Sequence, residues 1–233
     1  MNALPYILGA ILLATLAGLA FWLWLIRRTP ADFIPFEDFK TQTLDLGEWQ
    51  IRYHQSGQGP HLLLLHGIGA NLFCWRELVP YLNQKFTVTA IDLPGFGRSS
   101  KPPKAKYGLD DQAERLNWIL DALKIPRTYM VGNSMGANIG LWFAAKNPER
   151  VTRLALIAPA TSARLMPLPL DRLAWLSGPA SLMLSRPAMA WAHGRTVSNR
   201  SLVGKDRIEE TFFTYGRQPE AVRSFLLAIQ TIR

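Results

Sequence analysis

Thr128-Tyr129-Met130-Val131-Gly132-Asn133-Ser134-Met135-Gly136-Ala137-Asn138-Ile139 is the stretch on which the fold turns. Residues 128–131 form a short apolar run of strand character, and residues 135–146 have helical spacing. Between them stands Gly132-Asn133-Ser134-Met135-Gly136. Nucleophilic attack on an acyl carbon needs a hydroxyl held clear of neighbouring side chains, where base and substrate both reach it. A sharp strand-to-helix turn provides this, with the nucleophile in a strained backbone conformation. Glycines on both sides let the backbone pass close to adjacent elements. Alone, a G-x-S-x-G match is a weak signal. A strand before it and a helix after it distinguish it from an ordinary tight turn.

Moving outward, strand and helix alternate. His61-Leu62-Leu63-Leu64-Leu65 reads as a strand buried on both faces, as in a parallel sheet. Residues 86–91 and 151–157 read as further strands. Leu46, Ile51 and Tyr53 suggest a hairpin turning near Gly47. Helical spacing is expected over 72–82, and Asp110 or Asp111 is placed to cap a helix carrying Leu116, Ile119, Leu120 and Leu123. Such alternation with short connections predicts an α/β fold with a mostly parallel sheet covered by helices. The expected core is 44–158, preceded by a linker over 29–43. From Pro159 the rhythm gives way to Pro-, Met- and Leu-rich segments, expected to form a helical lid over 159–233.

A second motif faces the first. Leu65-His66-Gly67-Ile68-Gly69 ends a strand, where a loop can offer a backbone N–H to a developing oxyanion. The N–H groups of Ile68 and Met135 are the expected donors. Gly67, Gly132 and Gly136 support the close approach of backbones, and His66 is read as shaping the loop rather than as the general base.

These two motifs, with Asp92-Leu93-Pro94-Gly95-Phe96-Gly97-Arg98-Ser99 between them, resemble the α/β-hydrolase family over about residues 44–158. With the apolar N-terminus, the chain most resembles the membrane-bound monoacylglycerol-lipase-like branch. The resemblance implies that Ser134 is a catalytic nucleophile. It implies hydrolysis of a small apolar ester through an acyl-enzyme, or C–C cleavage in ring-opened aromatic metabolites. Dehalogenase and epoxide-hydrolase branches carry aspartate at the nucleophile position, against which Ser134 speaks. The family order is Ser, then acid, then His. After Ser134 this chain offers Asp171, Asp206 and His193, all in the expected lid and none ending a core strand. No catalytic acid or base is therefore identifiable, and the sequence is expected to stop short of the two strand–helix units that would carry them. A reading from another class follows, a catalytically inactive, membrane-tethered interaction protein.

The remaining features bound the surroundings. Residues 4–26 carry no charge and end at Arg27-Arg28, with Trp22 and Trp24 near that end. A helix of this length spans about 34 Å, against about 30 Å of hydrocarbon. A single-pass membrane anchor is expected, and the basic flank places the hydrolase domain in the cytoplasm. Residues 150–233 hold 12 Lys and Arg against 5 Asp and Glu, which suits a solvated basic surface or anionic headgroups. No basic stripe with stacking aromatics points to nucleic acid. Gly95-Phe96-Gly97 lacks the third glycine of a dinucleotide loop, since position 100 is serine, and no metal-ligand histidine pair occurs. No cofactor or metal is expected. One cysteine, Cys74, precludes an intramolecular disulfide.

Overall fold

The computed structural model describes residues 4–27, 39–160, 170–199 and 203–232. The strands are β1 (Gln42–Leu46), β2 (Trp49–Ser56), β3 (His61–Leu65), β4 (Thr87–Ile91), β5 (Thr128–Asn133) and β6 (Val151–Ile157). The helices are α1 (Leu4–Arg27), α2 (Val79–Leu82), α3 (Leu109–Ala122), α4 (Met135–Lys146), α5 (Ser177–Met183), α6 (Arg186–Thr196), α7 (Lys205–Tyr215) and α8 (Pro219–Ala228). The chain divides into two compact units, Phe36–Ala180 with Gln218–Arg233, and Met1–Pro35 with Ser181–Arg217.

The first unit is built on one sheet in the order β1-β2-β4-β3-β5-β6. The β1–β2 and β2–β4 pairs are antiparallel, and β4, β3, β5 and β6 run parallel. The centre of the sheet follows from β3. Leu62 and Leu64 face one side, with Phe39, Leu72, Phe73, Trp75 and Val88. Leu63 and Leu65 face the other, with Ile91, Leu116, Ile119, Ile139 and Phe143 from β4, α3 and α4. All four leucines are buried, each contributing about 1.5–3 kcal/mol of apolar transfer.

Local chemistry explains the boundaries. The β1–β2 turn closes at Gly47, whose φ of 79° suits glycine and whose N–H donates to Asp45 Oδ1 at 2.9 Å. Residues 72–82 do not form the single helix expected from their spacing. A 3-10 turn covers Leu72–Trp75, capped by the Asn71 side chain, and the four-residue α2 follows, with Pro80 in its first turn. At the start of α3, Gly108 occupies the cap and Asp111 reaches back to accept its N–H at 3.0 Å. Asp111 thus serves the cap from inside the first turn.

Segment 218–233 belongs with the sheet. Ala228 joins the cluster that holds Met135, and a 3-10 turn, Ile229–Ile232, continues α8. Phe39, on the edge of the expected linker, is buried, and Gln42 opens β1; residues 28–38 lie outside the described residues, as do 161–169 of the expected lid. In the second unit, Arg186 joins α6 to α7 through a paired contact with Glu209, Nε to Oε1 at 2.5 Å and Nη2 to Oε2 at 2.9 Å. Its guanidinium also lies 4.2 Å from the Phe212 ring centroid.

The membrane expectation is corrected. Residues 4–27 are helical, but among the described residues no helix is long and apolar enough to cross a membrane. The expected anchor over 4–26, the single-pass membrane localisation and the membrane as a partner are set aside on that finding.

Candidate active site

β5 leaves the sheet at Asn133, and α4 begins at Met135, so the whole reversal falls on one residue. Ser134 has φ 51° and ψ −115°, a combination that L-residues rarely adopt. Backbone bonds on both of its peptide groups hold it there. Its N–H donates to Ile157 O at 2.9 Å, and its carbonyl accepts from Ala137 N at 3.1 Å and Asn138 N at 3.2 Å. The flanking glycines have measurable reasons. A Cβ on Gly132 would lie 2.4 Å from Gly136 O, and one on Gly136 would lie 2.4 Å from Leu65 O and 2.5 Å from His66 O. The end of β3 and the first turn of α4 touch through bare backbone.

That contact brings the two sequence motifs together. Gly67 faces the Ser134 side chain, whose Cβ is 3.2 Å from where a Gly67 Cβ would stand. Ser134 is half-buried, Met135 is fully buried and Ile68 is partly buried against the core. The backbone N–H groups of Ile68 and Met135 donate to no group among the described residues. At Met135 this follows from helix geometry, since the first N–H groups of a helix have no intrahelical acceptor. The Phe225 ring of α8 lies against Gly69, 3.2 Å from a Cβ there. The sequence carries no signal for that pairing, because the partners are far apart in the chain.

His66 is buried at zero exposure beneath this loop. Leu93 N–H donates to its Nε2 at 3.0 Å, so the ring proton sits on Nδ1 and is donated to Gly67 O at 2.7 Å. Both nitrogens are committed to backbone. Burial lowers its pKa, opposed by the nearby Asp92 charge and the Gly67 bond. Asp92 in turn accepts from Leu72 N at 2.7 Å and Arg98 N at 2.8 Å. A Cβ on Gly97 (φ 51°) would strike its carboxylate. The Asp92–Ser99 motif thus closes around a buried acid that serves backbone amides.

A pH dependence follows from His66. With its folded pKa below the usual value near 6.5, its stabilising effect is complete above that value. It fades as pH falls below 6.5, where the unfolded chain takes up the proton first. Unfolding free energy is expected to fall between pH 6.5 and 5 by up to about 1.4 kcal/mol per pH unit from this residue. Urea titrations at several pH values should show a shallower acid slope in His66→Gln. Equal slopes would exclude His66 as the source. His54 and His193 also have pKa values lowered by burial and add slope of the same sign to both proteins.

No histidine bonds to the Ser134 hydroxyl among the described residues. His54 Nδ1 donates to Lys40 O at 2.7 Å. In the second unit, Thr211 donates its hydroxyl to Arg207 O and accepts from His193 Nε2 at 2.8 Å. No cluster of metal-ligating side chains occurs among the described residues. Of the Met, Leu and Trp side chains in the expected lid, Trp175, Met183 and Trp191 are exposed and Met189 is buried, while Leu165 and Met166 lie outside the described residues.

Residues 60–185 match the model of the alpha/beta hydrolase fold family. Among curated relatives, 2-hydroxymuconate semialdehyde hydrolase of Pseudomonas sp. is 40% identical over 110 residues, 46% of this chain and 39% of the relative. Fluoroacetate dehalogenase of Burkholderia sp. is 35% identical over 52% of this chain and 41% of the relative. 2-Hydroxy-6-oxo-6-phenylhexa-2,4-dienoate hydrolase of Comamonas testosteroni is 26% identical over 82% of this chain and 68% of the relative. The chain spans about two fifths of the length of the first two. Among solved structures, the meta-cleavage product hydrolase CumD of Pseudomonas fluorescens superposes with a TM-score of 0.65. It is 26% identical over 79% of this chain and 66% of its own. The monoacylglycerol-lipase-like branch expected from sequence is corrected by these matches, whose names are those of meta-cleavage hydrolases and a dehalogenase.

Proposed function

Because this chain belongs to the alpha/beta hydrolase fold family, we propose that it serves a serine-nucleophile hydrolase in which Ser134 attacks a substrate carbonyl. The observation that carries the reading is the Ser134 backbone at φ 51° and ψ −115°, with the Gly67 backbone beside its side chain. In this mechanism the attacked carbonyl oxygen becomes an oxyanion held by the Ile68 and Met135 N–H groups. The leaving group departs with a proton, and water releases the acid from the acyl-enzyme. Gly132 and Gly136 keep the turn tight, and Gly67 and His66 hold the loop that presents Ile68. His66 is not the base, because both its nitrogens are bonded to backbone.

For substrate class, we favour C–C hydrolysis of a ring-opened aromatic metabolite bearing a ketone at the cleaved bond. The names of relatives at 40% and 26% identity support it. An aspartate nucleophile, as a dehalogenation would use, is absent at position 134. Carboxylester hydrolysis is the second reading, since the same serine and amide donors suit an ester carbonyl.

The test uses protein expressed from its full coding sequence. A fluorophosphonate probe should label Ser134 and leave Ser134→Ala unlabelled. kcat/KM is then compared for a 2-hydroxy-6-oxo-dienoate and a short-chain p-nitrophenyl ester. A dienoate preference of about 100-fold or more, worth about 2.7 kcal/mol, supports the favoured class. The opposite preference selects the ester. Turnover of neither, with no labelling, returns the protein to the interaction class.

A further inference from the structure

Ser134 is held by its backbone as well as by its neighbours, and both of its peptide groups lead to the same place. Its N–H donates to Ile157 O, the last residue of β6, and its carbonyl also accepts from Ala160 N at 3.4 Å. The segment leaving β6 is therefore bonded to the strained residue through both of its peptide groups. That segment is itself sharply turned, with Ala158 at φ 44°. Something must keep it seated against α4.

Asn138, one helical turn after Ser134, meets that need. It is 8% exposed. Its Nδ2 donates to Ala160 O and to Thr231 O, the latter at 3.0 Å. Ala160 and Thr231 are themselves buried, at 5% and 1% exposure. Two carbonyl acceptors fix which end of the amide is nitrogen, and they come from two different segments, one following β6 and one following α8. A carboxylate or an apolar side chain of similar size offers no such pair of donors.

We propose that Asn138 is a positioning residue for the Ser134 turn, clamping the chain after β6 and the chain after α8 onto the first turns of α4. It touches no reacting atom. It acts by keeping Ala160 within reach of the Ser134 carbonyl, so that the serine does not relax out of its strained conformation. The inference deepens the serine-nucleophile reading and rests on it for its kinetic consequence. Its structural content stands alone.

The test compares the full protein with Asn138→Leu, which keeps the branched shape without donors, and with the milder Asn138→Ser. Amide hydrogen exchange is followed across 134–138, 158–160 and 229–232. In Asn138→Leu, exchange should rise about tenfold or more in all three segments while the rest of the sheet stays protected. The rate of fluorophosphonate labelling and kcat should fall about 10- to 100-fold, with KM changed by less than about threefold. If Asn138→Leu fails to fold, Asn138→Ser carries the same comparison. Unchanged exchange at 158–160 in a folded variant overturns the clamp, as does full labelling at the parent rate. A parent protein that is itself unlabelled overturns the serine-nucleophile reading instead, and the exchange result then decides the clamp alone.

Discussion

Replacing Ser134 by alanine is expected to lower kcat by at least about 10⁴-fold while leaving the fold intact. The loss is large because the covalent step has no substitute nucleophile; residual turnover would come from water attacking a carbonyl still polarised by the loop amides. The fold survives because alanine keeps the Cβ, so the backbone at φ 51° is no more strained than before. A glycine variant separates the two effects. Ser134→Gly should be equally inactive yet more stable than the alanine variant by about 1 kcal/mol, because glycine occupies this region without steric penalty. Steady-state kinetics and urea unfolding of both variants check the pair. A Ser134→Ala protein retaining a tenth of parental kcat would remove Ser134 from the chemistry.

Gly136→Ala is expected to destabilise the protein by about 3 kcal/mol or more. The new carbon would stand 2.4 Å and 2.5 Å from two backbone carbonyl oxygens at the end of β3. Backbone cannot step aside as a side chain can, so relief requires separating α4 from β3, and with it Ser134 from Gly67. Gly140→Ala is the internal control. It lies one turn further along the same helix, and its Cβ would meet side chains at 3.2 to 3.5 Å, which can shift slightly. Helix propensity favours alanine there by about 1 kcal/mol, so its net change should be small. Chemical denaturation of the two variants measures the difference; similar values would mean that the close approach of β3 and α4 is softer than the distances indicate.

Much of this arrangement is written locally in the chain. β3, β4 and β6 are apolar runs bounded by turn residues, and α4 starts where Ser134 and its glycines say it must. What escaped local reading was what depends on distant partners. Spacing over 72–82 is helical, yet Asn71 caps a 3-10 turn after Leu72, and α2 is left with four residues. Helical spacing over 219–233 puts Val222, Phe225, Leu226 and Ile229 on one apolar face. In the fold Val222 and Ile229 are buried along with the small residues Ala221, Ser224 and Ala228, of which Ala228 joins the cluster of Tyr107 and Met135. Ser224 was invisible as an inward residue because its hydroxyl partner, Tyr107, lies 3.1 Å away in space and far off in sequence. Asn138 likewise reads as an ordinary helix residue until Ala160 and Thr231 arrive beside it. At the site, the serine and its glycines were legible because a backbone shape requires those residue types. The same sequence did not reveal that both nitrogens of His66 were already engaged.

The four leucines of β3 leave the middle of the sheet with an indexing problem. Sliding that strand one step along its neighbours would swap leucine for leucine at three of four places, so the oily pattern that aligns most strands hardly distinguishes one step from the next. Only the strand's exit discriminates. One step off, the imidazole would no longer meet the amide of Leu93, and Gly67 would leave its place beside the Ser134 side chain. The loop that faces the serine therefore also tells the central strand where to stop, and damage there should produce misaligned chains before it produces slow enzymes.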